Sequence, residues 1–248
     1  MTEQIAVIAD VHGNTWALDV VLADIARRGI RAIVNLGDCV YGSLDPAGAA
    51  ERLMRAEIIT IAGNQDREVF APTAQQRESA DHAFVTGQLS AAQVAWLAGC
   101  PPTQVVGELF CCHGTPTSDT TYLLEYVTEH GVALADSPTI AGQLAGIEQP
   151  VVLCGHSHVT RVVGLPDGRL VLNPGSVGMP AYDEDVPYPH VMEAGSPHAR
   201  YAVLTRASLG WDVEQVALSY DWRAAAEVAL RNGRPDRARW IATGRAAG

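Results

Sequence analysis

The sequence predicts an α/β protein of two packed mixed β-sheets flanked by helices, a four-layer αββα sandwich ending in short C-terminal helices. Three observations carry this expectation. The opening third alternates short apolar runs with stretches of helical periodicity, the β-α rhythm that builds parallel strands. From residue 104 onward the apolar runs stay short and are divided by turn signals such as Pro166-Asp167-Gly168, as hairpins require. Most of these runs end in a polar residue able to bind a ligand, which is where open α/β sheets carry their functional loops.

Residues 5–9, Ile-Ala-Val-Ile-Ala, form an apolar run rich in β-branched residues, and residues 15–28 place apolar side chains at helical spacing up to Gly29. Residues 32–36 read as the second strand, 46–56 as a helix and 58–62 as the third strand, so a largely parallel central sheet is expected. Later strands fall at 104–112, 151–154, 159–165, 169–172 and 201–205, and two helices at 222–231 and 235–242. Periodicity by itself also permits one mixed sheet. The proline-rich stretch 178–199, with Asp183-Glu184-Asp185, reads as a long loop and a candidate lid or specificity loop. The expected organisation is one domain over 1–220 and a C-terminal helical extension over 221–248 packed on it.

Hydrophobic residues are 48% of the chain and charged ones 18%, which suits a buried core and excludes a disordered or fibrous chain. With 28 acidic against 17 basic residues the formal charge is −11, so general nucleic-acid binding is not expected. No apolar run approaches the ~18 residues of a membrane span. The first residues lack the features of a signal peptide, and a cytoplasmic protein without a membrane partner is expected. Cys39, Cys100, Cys111, Cys112 and Cys154 form no C-x-x-C pair and suit core packing in a reducing compartment.

Five apolar runs end in the segments Asp10-Val11-His12, Gly37-Asp38, Gly63-Asn64-Gln65-Asp66, His113-Gly114 and Gly155-His156-Ser157-His158. Singly each has an ordinary reading: Asp caps helices, Gly-Asn makes turns, and a lone His is commonly a satisfied core residue. Together they hold four of the eight histidines in a fixed order.

That order resembles the calcineurin-like metallophosphoesterase superfamily, with the motifs spanning residues 10–158. Gly37-Asp38-Cys39-Val40-Tyr41-Gly42, Asp45-Pro46 and Asn173-Pro174-Gly175-Ser176 resemble a prokaryotic branch of small phosphodiesterases and dinucleoside tetraphosphatase-related proteins. The resemblance implies one metal held by Asp10, His12 and His158, another by Asn64, His113 and His156, and Asp38 bridging them. It implies hydrolysis of a small phosphate ester or nucleotide by water activated between two divalent cations, with no protein nucleophile. Asp38, Asn64, Gln65 and Asp66 are the implied catalytic residues. Mixed imidazole and oxygen donors suit transition metals, manganese first and then iron, zinc or nickel. The oligomeric partner is left open.

One residue departs from the pattern. Many members of the superfamily have His after Gly-Asn, where it protonates the leaving oxygen, and this chain has Gln65. An amide hydrogen-bonds but does not act as an acid. The alternative expectation is therefore a metal-binding regulatory scaffold with little turnover. Arg67 and Arg161 are candidates for phosphate contact or for salt bridges, and His82, His190 and His198 are candidate replacement acids.

Overall fold

A computed structural model of the protein describes residues 3–55 and 58–246. Its first sheet is built on β1 (Gln4–Ile8), β2 (Ala32–Asn35) and β3 (Ile58–Thr60), which run parallel. The second contains β4 (Thr103–Val106), β5 (Leu109–Cys112), β8 (Val151–Leu153), β9 (Arg161–Gly164) and β10 (Leu170–Asn173). Between β5 and β8 lies the hairpin of β6 (Glu125–Thr128) and β7 (Gly131–Leu134). After β10 come the hairpin of β11 (Ala181–Glu184) and β12 (His190–Glu193), then β13 (Ala199–Ala207) and β14 (Gly210–Leu218).

The first sheet has the order β14-β13-β1-β2-β3, and the second β4-β5-β8-β10-β9. Each has a parallel centre with antiparallel flanking strands: β13 runs against β1, β4 against β5 and β9 against β10. Strand alternation divides the apolar residues between faces. Ile5, Val7 and Ala9 pack with Leu109, Cys111, Val151, Leu153 and Leu172 in the core between the sheets. Ala6 and Ile8 face the other way, into a core closed by helices.

Those helices are α1 (Thr15–Arg27), α2 (Pro46–Leu53), α8 (Trp222–Arg231) and α9 (Pro235–Thr243). Leu18, Val21 and Ile25 of α1, Leu53 of α2, Ala229 of α8 and Ile241 of α9 are buried there; full burial of a Leu or Ile is worth ~1.5–3 kcal/mol each. Asn14 caps α1 by accepting from the Ala17 amide at 3.1 Å, and Asp45 caps α2 ahead of Pro46. Short helices α3 (Asn64–Phe70), α4 (Ala74–Arg77), α5 (Ala80–Thr86) and α6 (Ala91–Gly99) link β3 to β4. Outside the second sheet, α7 (Ser137–Gln143) contributes Ile140 to a third core with Phe110, Cys112, Val152 and Val171.

The two-sheet sandwich agrees with the expectation, and three elements differ in detail. The run 104–112 is two strands turned back at Gly107, whose φ of 58° suits glycine. The helix over 46–56 ends at Leu53, and residue 56 lies outside the described residues, as do Met1, Thr2, Ala247 and Gly248. Residues 178–199 are not simply a loop, because β11 and β12 pair across them. Pro187 and Pro189 sit in the connection, where they remove no ladder hydrogen bond.

Candidate metal centre

The carboxyl ends of β1, β2, β3, β5 and β8 converge at one rim of the sandwich, and their loops are tied to each other by backbone bonds. The amide of Asp10 donates to Gly37 O at 3.0 Å, that of His12 to Asp38 O at 3.0 Å, and that of Gly155 to His113 O at 2.7 Å. Among the described residues, positive φ outside glycine occurs at Asp10, His12, Asp38, His156 and His158. Side chains disfavour that backbone region, and surroundings that enforce it five times in one place mark a site with a purpose. The loops also pass close together: a Cβ at Gly63 would meet Asp38 Oδ1 at 2.2 Å, and one at Gly42 would meet His12 O at 1.9 Å.

Three imidazoles are aimed by backbone carbonyls. Nδ1 of His12 lies 2.9 Å from Tyr41 O, that of His113 2.7 Å from Leu36 O, and that of His158 2.6 Å from Met179 O. A carbonyl only accepts, so each Nδ1 carries a proton and each Nε2 is turned inward. The Nε2 atoms of His12 and His158 are 3.1 Å apart, and His158 Nε2 is 3.4 Å from Asp10 Oδ1. His113 Nε2 lies 3.1 Å from Asn64 Oδ1, 3.5 Å from Asp38 Oδ2 and 4.0 Å from Asp10 Oδ1. The rings of His113 and His156 have centroids 5.1 Å apart. The seven residues expected to bind metal are thus brought together. Asp10, His12 and His158 have ligand atoms within 4.8 Å of one another, as do Asp10, Asp38 and His113.

The electrostatics favour a cation here. Burial, followed by repulsion from His158, holds His12 down to about 4, and burial followed by His113 does the same for His156. Both are neutral at physiological pH. His113 is raised to about 10: burial opposes its charge, but the carboxylates of Asp38 and Asp10 outweigh it. Burial alone would raise Asp10 and Asp38, yet His158 and His113 hold the former low, and His113 and His12 the latter. Two buried carboxylates draw positive charge to a spot lined with inward nitrogens.

His12, Asp38, Asn64, His156 and His158 of the cluster line a cavity of about 880 Å³. Gln65, Tyr122, Tyr126, Tyr182 and Trp240 are among its lining residues.

Residues 4–193 match the calcineurin-like phosphoesterase superfamily domain. The chain belongs to that superfamily. Its sequence is 27% identical to an uncharacterized protein of Methanocaldococcus jannaschii over 94% of each chain. Its fold is similar to a metallophosphoesterase from Sphaerobacter thermophilus, with a TM-score of 0.76 at 23% identity, covering 99% of this chain and 100% of the other.

Calcineurin-like phosphoesterases are hydrolases that bind divalent metals, and the donor set here fits such ions. Both oxygens of the fully buried Asp10 carboxylate lack a hydrogen-bond donor. The neighbouring His158 turns its Nδ1 to Met179 O and its Nε2 toward Asp10 Oδ1, 3.4 Å away. A bound cation satisfies buried carboxylate oxygens that lack a hydrogen-bond donor and face inward imidazole nitrogens.

Other expected residues fall outside the cavity wall. Asp66 is buried and accepts from the Cys39 and Gly63 amides at 2.8 and 3.0 Å, binding two motifs to each other. Arg67 is paired with Asp119 at 2.6 Å and Arg161 with Glu125 at 3.3 Å, so both make salt bridges. His82 is buried on α5, His198 lies against Trp222, and His190 is buried on β12; none lines the cavity. Apart from 178–199, the sequence pattern gave no sign of the wall. Tyr122, Tyr126, Gln143 and Trp240 come from segments with no motif, and α9, expected only to pack, supplies Arg237 and Trp240, with Arg234 just before it.

Proposed function

We propose that the protein is a two-metal phosphoesterase for phosphodiesters or nucleotide-type substrates, of the prokaryotic phosphodiesterase and dinucleoside tetraphosphatase-related branch. The observation that carries this reading is the set of unpartnered, buried Asp10 oxygens behind the inward nitrogens of His12 and His158, which line the cavity. Asp10, His12 and His158 hold one ion, Asn64, His113 and His156 the second, and Asp38 bridges. Such a pair supplies a water nucleophile near neutral pH and neutralises phosphoryl charge. Manganese is the first metal to test, then iron, zinc and nickel.

The protein's own part is positioning. Backbone carbonyls aim the imidazoles, Asp66 fixes the loop of Asn64 against that of Asp38, and the Gln65 amide stands in the cavity to hydrogen-bond a phosphoryl oxygen. Without an acid at Gln65, esters whose leaving groups need no protonation are the favoured substrates. Tyr182, Asp183, Glu184, Val186 and Pro187 place 178–199 on the wall, which supports a role in specificity. On this reading 1–220 forms the catalytic domain, and 221–248 is an extension whose α9 completes the wall.

The cavity and the charge of −11 support a small substrate over nucleic acid. Among the described residues no helix is long and apolar enough to cross a membrane. The five free cysteines suit a reducing, cytoplasmic setting. Hydrolysis of bis-p-nitrophenyl phosphate with and without Mn²⁺ tests the reading. Metal-dependent turnover is expected; its absence across several phosphate esters would favour the regulatory scaffold that Gln65 suggests.

A further inference from the structure

His156 differs from the other three imidazoles of the cluster: among the described residues, no backbone carbonyl accepts from its ring. Two tyrosines take the place of that contact. The Tyr122 ring stacks on the His156 imidazole with centroids 4.8 Å apart and planes 26° apart. The Tyr182 hydroxyl lies 3.0 Å from the His156 carbonyl oxygen and 2.9 Å from the Tyr122 hydroxyl. Tyr182 also meets His158 edge-on, at 4.7 Å between centroids.

The direction of these bonds follows from the acceptors. His190 Nδ1 donates to Tyr188 O at 2.7 Å, so in neutral His190 the Nε2 atom, 3.1 Å from Tyr122 Oη, accepts the Tyr122 proton. The Tyr182 proton is then shared between the Tyr122 oxygen and the His156 carbonyl. That carbonyl belongs to a residue at φ 67°, a backbone conformation a side chain keeps only when its surroundings hold it. The stack fixes the ring plane and the hydroxyl fixes the backbone.

We propose that Tyr122 and Tyr182 are positioning residues for His156, and that they set the metal affinity of the half-site formed by Asn64, His113 and His156. The inference rests on the two-metal reading above. It also ties 178–199 to the chemistry, because Tyr182 lies on β11 within that segment.

Calorimetric titration of the metal-free full chain with Mn²⁺ tests it. The parent should take up two equivalents. Tyr182→Phe keeps the ring against His158 and removes only the hydroxyl, and should weaken one equivalent by ~10–100-fold, the usual effect of losing a partner behind a ligand. The other equivalent should be unchanged. Tyr122→Leu should weaken the same equivalent, and Tyr122→Phe, which keeps the stacked ring, should largely restore it. The Tyr122 pair also decides the matter if Tyr182→Phe does not fold. A parent with one equivalent would overturn the two-metal reading and this inference with it. Two equivalents in the parent with both affinities unaltered in the variants, or both weakened equally, would overturn this inference alone.

Discussion

The backbone amide of Gln65 donates to Oδ1 of Asp38 at 2.9 Å, which leaves Oδ2 facing the histidines, 3.5 Å from His113 Nε2 and 3.9 Å from His12 Nε2. One oxygen is pinned by the first turn of α3 and the other faces both His113 and His12. This is the placement a bridging carboxylate requires. Asp38→Asn keeps an acceptor for the Gln65 amide but removes the charge that faces both His113 and His12, and with it the bridge proposed for Asp38. Turnover should be lost and metal content should fall at both positions, while the circular dichroism spectrum stays parental. Near-parental activity at saturating Mn²⁺ would remove Asp38 from the bridge.

Gly63 tests the same carboxylate from its other side. Its φ of −88° and ψ of 177° are open to any residue, so alanine there brings no backbone strain. The added Cβ would stand 2.2 Å from Asp38 Oδ1 and 2.6 Å from its amide nitrogen. Gly63→Ala should therefore displace Asp38, weakening metal binding by ~10–100-fold and costing ~1–3 kcal/mol in stability. A Cβ added at Gly142 on α7 would meet nothing within 4 Å, and Gly142→Ala should leave metal binding unchanged. Calorimetry and thermal melting of the two variants make the comparison; unaltered metal affinity in Gly63→Ala would show that the loop gives way without moving Asp38.

The cysteines should be dispensable for chemistry. Burial pushes the Cys39 thiol well above its ordinary range, with Asp66 adding to it, and burial raises Cys100 and Cys111 to about 12. A raised thiol pKa means that the thiolate forms only at alkaline pH, so these groups are neutral and unreactive near pH 7. Asn35 Nδ2 donates to Cys39 Sγ at 3.2 Å, a bond that a serine hydroxyl can also accept. Cys39→Ser should stay active, and native protein should resist iodoacetamide near neutral pH. Lost activity with normal folding and metal content would reopen a cysteine mechanism.

The convergence of the motif segments was legible in the sequence because each follows an apolar run and short strands in register deliver their ends to one rim, while the roles of their residues came from the family resemblance. Asp10, Asp38, Asn64, His113 and His156 needed no knowledge of the turns between them. Most of the wall outside 178–199, and the contacts within it, were not legible for the opposite reason. Tyr122 and Tyr182 hydrogen-bond at 2.9 Å although they are separated by 60 positions, and no local pattern announces such a pair. Trp240 lies on the buried face of an amphipathic helix, where an aromatic residue reads as packing. The prolines of 178–199 concealed a hairpin because two of the four, Pro187 and Pro189, sit in its connection and the other two, Pro180 and Pro197, flank it. Edge strand β14 was obscured by polar residues such as Asp212, Glu214 and Gln215 along its length.

Gln65 offers the sharpest test of mechanism, because the leaving group rather than the metal should reveal the missing acid. Its side chain lines the cavity beside Asn64, with Oε1 buried and lacking a partner. None of His82, His190 and His198 reaches the lining, so no histidine outside the metal cluster stands ready to protonate a departing oxygen. A nitrophenolate leaves without much protonation, and parent and Gln65→His should hydrolyse its esters at similar rates. An alkoxide is far more basic, and with alkyl esters the histidine variant should be faster. That gain should fall short of the ~10²–10⁴-fold that general-acid catalysis supplies when its geometry is tuned, because the new imidazole lacks partners to orient it. Rates over a series of esters, plotted against leaving-group pKa, should fall more steeply for the parent than for Gln65→His. Equal slopes, at equal metal content, would mean that another group already protonates the leaving oxygen, and the assignment of Gln65 as the position of a lost acid would fail.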